Sequence, residues 1–200
     1  MREFPTERLI IATHNHGKLR EFQDLLGGLV REIVAAGDLN LPEPEEDGES
    51  FAENALIKAH AAAKATGEPA LADDSGLCVT ALGGQPGVFS ARWGGPEKSA
   101  IGAMQRVQDM LGNAADRSAH FMCVLALVWP DGYSELYEGR CDGTLVWPPR
   151  GAFGHGYDPM FVPRGETRSF AEMPPAEKHL FSHRGAALQT LLNAAAKGSG

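Results

Sequence analysis

The sequence predicts an α/β domain built on a mixed sheet. Two patterns carry this: short apolar runs alternate with helical periodicities through the first half of the chain, and a strand–turn–strand pair sits in the middle. A third observation sets the scale. With 200 residues, 43% hydrophobic and 22% charged, the chain can bury a sizeable core within one domain over residues 1–200.

The run Leu9-Ile10-Ile11-Ala12 reads as a strand ending in the polar loop Thr13-His14-Asn15-His16-Gly17-Lys18. From Lys18 onward Leu19, Phe22, Leu25, Leu26 and Leu29 recur at helical spacing, with Arg20, Glu21 and Asp24 on the other face. The loop therefore leads into a helix N-terminus, where unpaired N–H groups favour an anion. Residues 42–48 are acidic and proline-punctuated and read as a loop. Ser50 and Glu53 have the spacing of a capping box, and Phe51, Ala55, Leu56, Ala59 and Ala63 continue a helix as far as Gly67.

Ala70-Leu71-Ala72 is a second buried strand, which delivers Asp73, Asp74, Ser75 and Gly76 to its C-terminal end. Residues 82–92, glycine-rich and containing Pro86, read as a surface loop. A helix is expected over 97–111 with Ile101, Met104, Val107 and Leu111 inward. Next come a strand over 121–129, a turn at Pro130-Asp131-Gly132 and a returning strand over 133–141. A last strand is expected over 158–162, and a last helix from near Ser182 with Leu188, Leu191 and Leu192 inward. The tail from Lys197 to the end is expected to be loose.

Composition narrows the function classes. A net charge of −8 repels a nucleic-acid backbone, so a bound polyanion must be small and held by a local group of cations, with a metal. No apolar run reaches bilayer-spanning length and the N-terminus does not read as a secretory signal, so no membrane partner and a cytoplasmic location are expected. Cys78, Cys123 and Cys141 are odd in number and lack zinc-site spacing; they read as reduced core residues.

Several constellations can carry chemistry. Thr13-x-Asn15-x-x-Lys18 places a hydroxyl, an amide and an ammonium on one strand-to-helix loop, with Gly17 permitting close backbone approach. Read alone, it is better explained as a capped helix start with an exposed lysine. Asp73-Asp74-Ser75-Gly76 offers adjacent carboxylates for a hard cation or for water activation, and the same residues suit a polar turn. The acidic loop Glu43, Glu45, Glu46, Asp47 can add a metal ligand, or be a solvated charge run, and Lys58 follows it on a helix. His155-Gly156-Tyr157-Asp158-Pro159 holds a flat ring between glycines, a shape that stacks on a base. Glu177-Lys178 and Ser182-His183-Arg184-Gly185 gather donors at a helix start, where capping with exposed cations is the plainer account of each alone.

Taken in order, five segments resemble the inosine triphosphatase-like family, the XTP/dITP pyrophosphatases that remove non-canonical purine nucleotides. They are IIATHNHGKLREF, EEDGESFAENALIKA, LADDSGLCVTALGGQPGVFSARW, GHGYDPMFVP and FAEMPPAEKHLFSHRGAAL, extending from Ile10 to Leu188. The resemblance implies an elongated two-lobed α/β fold with the active-site cleft between lobes, in a homodimer. It implies hydrolysis of a purine nucleoside triphosphate to the monophosphate and pyrophosphate, with Mg2+ required and no nucleic-acid polymer as partner.

Carried over by position, Thr13, His14, Asn15, His16, Gly17 and Lys18 would hold the phosphate chain and Lys58 would help neutralise it. Asp74 would be the general base and a metal ligand, Asp73 its support, Ser75 a substrate contact and Glu45 the second metal ligand, with Glu46 beside it as the alternative register. His155, Gly156, Tyr157, Asp158, Lys178, His183 and Arg184 would form the base pocket. Donors there would favour the 6-keto group of hypoxanthine or xanthine over the 6-amino group of adenine. One departure stands out: the family's usual Phe before Gly-Tyr-Asp-Pro is His155 in this chain. Rival readings are a house-cleaning enzyme for pyrimidine nucleotides and a nucleotide sensor that has lost turnover.

Overall fold

The computed structural model describes residues 2–198. Its strands are β1 (Arg8–Ile11), β2 (Glu32–Ala35), β3 (Ala70–Val79), β4 (Ser118–Val128), β5 (Ser134–Leu145) and β6 (Phe161–Pro163). The helices are α1 (His16–Leu26), α2 (Phe51–Thr66), α3 (Ala100–Leu111), α4 (Pro175–Phe181) and α5 (His183–Gly198), with short 3-10 turns between. The strands form one sheet in the order β2-β1-β3-β4-β5-β6. β1 runs parallel to β2 and β3, and β5 antiparallel to β6, so the sheet is mixed as the alternation of elements predicts.

Local chemistry explains the helix ends. Ser50 accepts from the Glu53 N–H and Glu53 returns the bond, a complete capping box, and Gly67 closes α2 in the left-handed conformation at φ 71°. Asn15 caps α1 and Ser99 caps α3.

The chain divides into two compact units. One comprises residues 1–74, 124–138 and 188–200; the other comprises 75–123 and 139–187. The first has an alanine-rich core in which Ala55, Ala59, Ala62 and Ala63 of α2 pack on Ile10, Ala70, Ala126 and Val128. Small side chains on both sides let the helix lie close to the strands. The second has an aromatic core: Phe121, Phe161 and Phe170 meet at centroid distances of 4.7 to 6.1 Å, joined by Leu77, Val107 and Met173. Cys78, Cys123 and Cys141 are buried free thiols, as their spacing predicts. Among the described residues no helix is long and apolar enough to cross a membrane.

Several expectations are corrected. The Asp-Asp-Ser-Gly segment lies inside β3, not at its end, because strand pairing continues through Leu77-Cys78-Val79. A strand tolerates the two carboxylates there because consecutive side chains leave on opposite faces and each finds a cation. Ile101 is 59% exposed and Ala103 takes the inward place, because position 101 lies about 100° of helix rotation from the centre of the Ala103/Met104/Val107/Leu111 stripe. The strand expected over 158–162 begins only at Phe161; Pro159, in the first positions of a 3-10 turn over Asp158–Met160, holds the chain in that turn first. α5 continues through Lys197 to Gly198, which corrects the start of the loose tail; Ser199 and Gly200 lie outside the described residues. β2 and α4 were not expected. β2 is a four-residue strand, and α4 buries no side chain, so neither leaves a clear periodicity.

Candidate active site

In the first unit, β1 hands the chain to α1 through the Thr13 to Lys18 loop. Asn15 is engaged as the helix cap: its side-chain oxygen accepts from the N–H groups of Gly17 (2.8 Å) and Lys18 (3.2 Å), while its own N–H donates to Thr13 Oγ1 at 3.1 Å. Thr13 is buried, and His14 is tied through Nε2 to the Leu41 carbonyl at 2.7 Å. His16 and Gly17 are exposed at the helix start. Lys18 reaches across to β3, where its ammonium donates to Asp73 Oδ1 at 3.0 Å.

Asp74 faces a different set of partners, all drawn from α2 and the acidic loop. Asn54 Nδ2 donates to Asp74 Oδ2 at 3.2 Å, and the Lys58 ammonium lies 3.7 Å from Oδ1. Lys58 is 9% exposed and makes its shortest ion pair, 2.6 Å, with Glu46. Burial, reinforced by the charges of Glu46 and Asp73, pushes the Asp74 carboxyl above its ordinary value against the pull of Lys58 and Asn54. Burial acts downward on Lys58 but is outweighed by Asp73, Asp74 and Glu46, so the ammonium is held more firmly than usual. Glu45 is exposed and is not the residue paired with Lys58. A hollow lined by Ala12, His14, Leu41, Pro44, Lys58 and Ala62 brings the phosphate-type loop, the acidic loop and α2 together.

In the second unit, Ser75 Oγ lies 3.4 Å from Arg184 Nη2 at the start of α5. Arg184 and His183 are both buried, and the His183 ring stacks on Phe121 at 4.7 Å and 13°. Asp158, 2% exposed, accepts through Oδ2 from the His155 N–H (2.8 Å) and the Lys178 ammonium (2.6 Å). Tyr157 is buried with its hydroxyl on the Ser90 carbonyl at 2.7 Å, and burial raises its pKa far above the ordinary value. The His155 ring is exposed, next to Gly156 at φ 61°.

The structure thus gathers Lys18, Lys58, Asp73 and Asp74 in the first unit, and gathers Ser75 with Arg184 and His155 to Asp158 with Lys178 in the second. Two residues carry roles that the sequence reading does not assign. Asn54, part of the candidate segment Glu53-Asn54-Ala-x-x-Lys58, holds Asp74: four residues before Lys58 on a helix, it shares that lysine's face. Ser90 anchors Tyr157, and nothing in its sequence neighbourhood marks it. Among the described residues, no group of three or more His, Cys, Asp or Glu is gathered closely enough to hold a metal by itself.

The chain is similar to known proteins over most of its length. The model of the Ham1 family matches residues 9–194. A dITP/XTP pyrophosphatase of Gluconobacter oxydans is 57% identical over 189 residues, 94% of this chain and 91% of that protein. One from Rhodospirillum centenum is 55% identical over 194 residues, 96% of each chain. Among solved structures, a HAM1 protein from Coxiella burnetii superposes with a TM-score of 0.89 at 40% identity, covering 96% of this chain and all of that one. The family resemblance read from the five ordered segments is met over almost the whole sequence, and the chain belongs to the Ham1 family.

Proposed function

We propose that this protein is a nucleoside triphosphate pyrophosphatase. It hydrolyses non-canonical purine nucleotides, dITP/ITP and XTP/dXTP, to the monophosphate and pyrophosphate, and so removes deaminated purines from the nucleotide pool. The observation that carries the reading is the pairing of two lysines with two adjacent carboxylates, Lys18 on Asp73 and Lys58 on Asp74, in a chain more than half identical to proteins named dITP/XTP pyrophosphatase.

The reaction adds one water across the α–β anhydride. The loop from Thr13 to Lys18 would receive the phosphates, with Lys18 and Lys58 neutralising the charge that collects on the departing pyrophosphate. Asp74 would take the proton from the attacking water, held in place by Asn54. Three carboxylates, Glu46, Asp73 and Asp74, meet two ammonium groups here, and burial, with repulsion from Glu46 and Asp73 added to it, raises the Asp74 pKa. A hard divalent cation relieves such an excess, and Mg2+ commonly needs only one or two protein carboxylates plus substrate phosphates. Asp74 and Glu45 would hold it, since Glu46 is committed to Lys58. The ion supplies charge neutralisation at the triphosphate.

Lys178 spends one of its three ammonium protons on Asp158, leaving two for a purine O6, and the Arg184 guanidinium beside Ser75 would add a second cation to the pocket. An adenine amino group would leave such a donor unpaired, the costly case. Gly156 and Tyr157 would shape the pocket and His155 would lie against the base. We place the enzyme in the cytoplasm, and as a homodimer, the latter as the resemblance implies.

The test is steady-state kinetics with Mg2+ on ITP, dITP, XTP, GTP, ATP and pyrimidine triphosphates, detecting pyrophosphate. dITP and XTP are expected to exceed ATP by at least about 100-fold in kcat/KM. Orthophosphate as first product, or equal rates on ATP, would refute the reading. The metal assignment has its own test. Glu45→Gln is expected to raise the Mg2+ concentration for half-maximal rate about tenfold or more, whereas Glu46→Gln, acting through Lys58, raises the nucleotide KM instead. Interchanged results would exchange the two residues' roles.

A further inference from the structure

Lys178 stands on α4, a helix with an unusual foothold. Met173 before it and Ser182 after it are buried, but none of its seven residues is, and Leu180 is 81% exposed. A helix this short has little stability of its own, and without an apolar stripe its position must be set by other contacts. Two polar contacts supply them, beside the seat of the Lys178 ammonium over the buried Phe170 ring at 5.3 Å. On one side the Lys178 ammonium reaches Asp158, which also ties down the His155 N–H. On the other, the guanidinium of Arg168 grips the preceding residue, Glu177, with both arms: Nη1 to Oε2 at 3.1 Å and Nη2 to Oε1 at 2.5 Å. Nη2 also touches Glu166 at 3.4 Å.

We infer that Arg168 is a positioning residue for base recognition: its two-armed clasp on Glu177 fixes the rotation of α4 and thereby aims Lys178. Single exposed ion pairs contribute little to stability, but a bidentate arginine–carboxylate pair is the geometry in which they count. Arg168 holds the Glu177 carboxyl below its ordinary range, so the pair is intact at neutral pH. Serine at position 169 continues the restraint into the core: its hydroxyl donates to the Arg150 carbonyl at 2.7 Å, and Glu172 accepts from its N–H. Arg168 therefore grips from a fixed base.

The inference rests on the proposed function only for its kinetic part, and the experiment separates the two. Wild type, Arg168→Ala and Arg168→Lys are compared by amide hydrogen exchange over residues 174–182 without nucleotide, by thermal melting, and by kinetics on dITP and ATP. Arg168→Ala is expected to speed exchange in α4 about tenfold and to raise the dITP KM three- to tenfold, narrowing the dITP/ATP ratio. The melting temperature and kcat should stay near wild type. Arg168→Lys, which keeps charge but loses the fork, should recover only part. Faster exchange with an unchanged KM and ratio reduces the clasp to a structural tie and overturns the inference, as does unchanged exchange. If wild type releases no pyrophosphate from dITP or XTP, the proposed function falls; the clasp then stands or falls on exchange in α4.

Discussion

Asp74→Asn is expected to lower kcat for dITP and XTP by about 100- to 10,000-fold while leaving nucleotide binding in place, the range that removal of a general base and charge-bearing ligand produces. The substitution is close to isosteric, and the amide oxygen can still accept from Asn54 Nδ2, which now meets the carboxylate at 3.2 Å. Lys58 keeps its 2.6 Å partner Glu46. Removing the charge also ends the burial cost of the carboxylate and the smaller repulsion from Glu46 and Asp73, which together push this carboxyl up. The variant should therefore melt within about 2 °C of wild type, because it relieves a local strain while losing only a long ion pair. Equilibrium binding of dITP measured beside single-turnover rates checks the expectation. Near-normal turnover would remove Asp74 from the base role, and loss of binding together with turnover would make it a ligand-holding group instead.

What was legible in the sequence follows from the kind of signal each element leaves. α2 announced both ends, since a capping box and a left-handed glycine are local chemistry written in consecutive residues. Lys18 and Asp73, 55 positions apart, could be named as site members through the ordered segments, yet their 3.0 Å pairing depends on β1 lying beside β3. The same holds for Lys178 and Asp158. Strand length was misjudged at Asp73 and Asp74 because two carboxylates look like a turn until partners on α1 and α2 are known. The preference of Lys58 for Glu46 over its neighbour Glu45 lies beyond reading by position, as it depends on how an irregular loop meets a helix face. α4 was illegible for the most physical of reasons: it buries no apolar side chain, and hydrophobic periodicity reports burial.

Gly139→Ala is expected to lower the melting temperature by about 3–10 °C and to reduce kcat/KM on dITP about tenfold, though glycine 139 has no side chain to offer a substrate. In sequence Gly139 is an unremarkable glycine in a strand. In the structure β5 and the start of α5 come so close there that an added Cβ would stand 2.1 Å from the His183 carbonyl oxygen, 2.2 Å from the Ala187 nitrogen and 2.9 Å from its Cα. All three are backbone atoms, so no side-chain rotation can make room. β5 is hydrogen-bonded to β6 from Gly143 to Leu145 and cannot easily recede, so the helix must shift. Its first residues are His183, stacked on Phe121, and Arg184, beside Ser75, and both would leave their places. Gly28, where a Cβ meets nothing within 4 Å, is the control, and Gly28→Ala should leave melting and kinetics within error. A Gly139→Ala enzyme that melts and turns over like wild type would show that the strand and helix can separate freely. The recognition of the base would then not depend on how tightly α5 is seated.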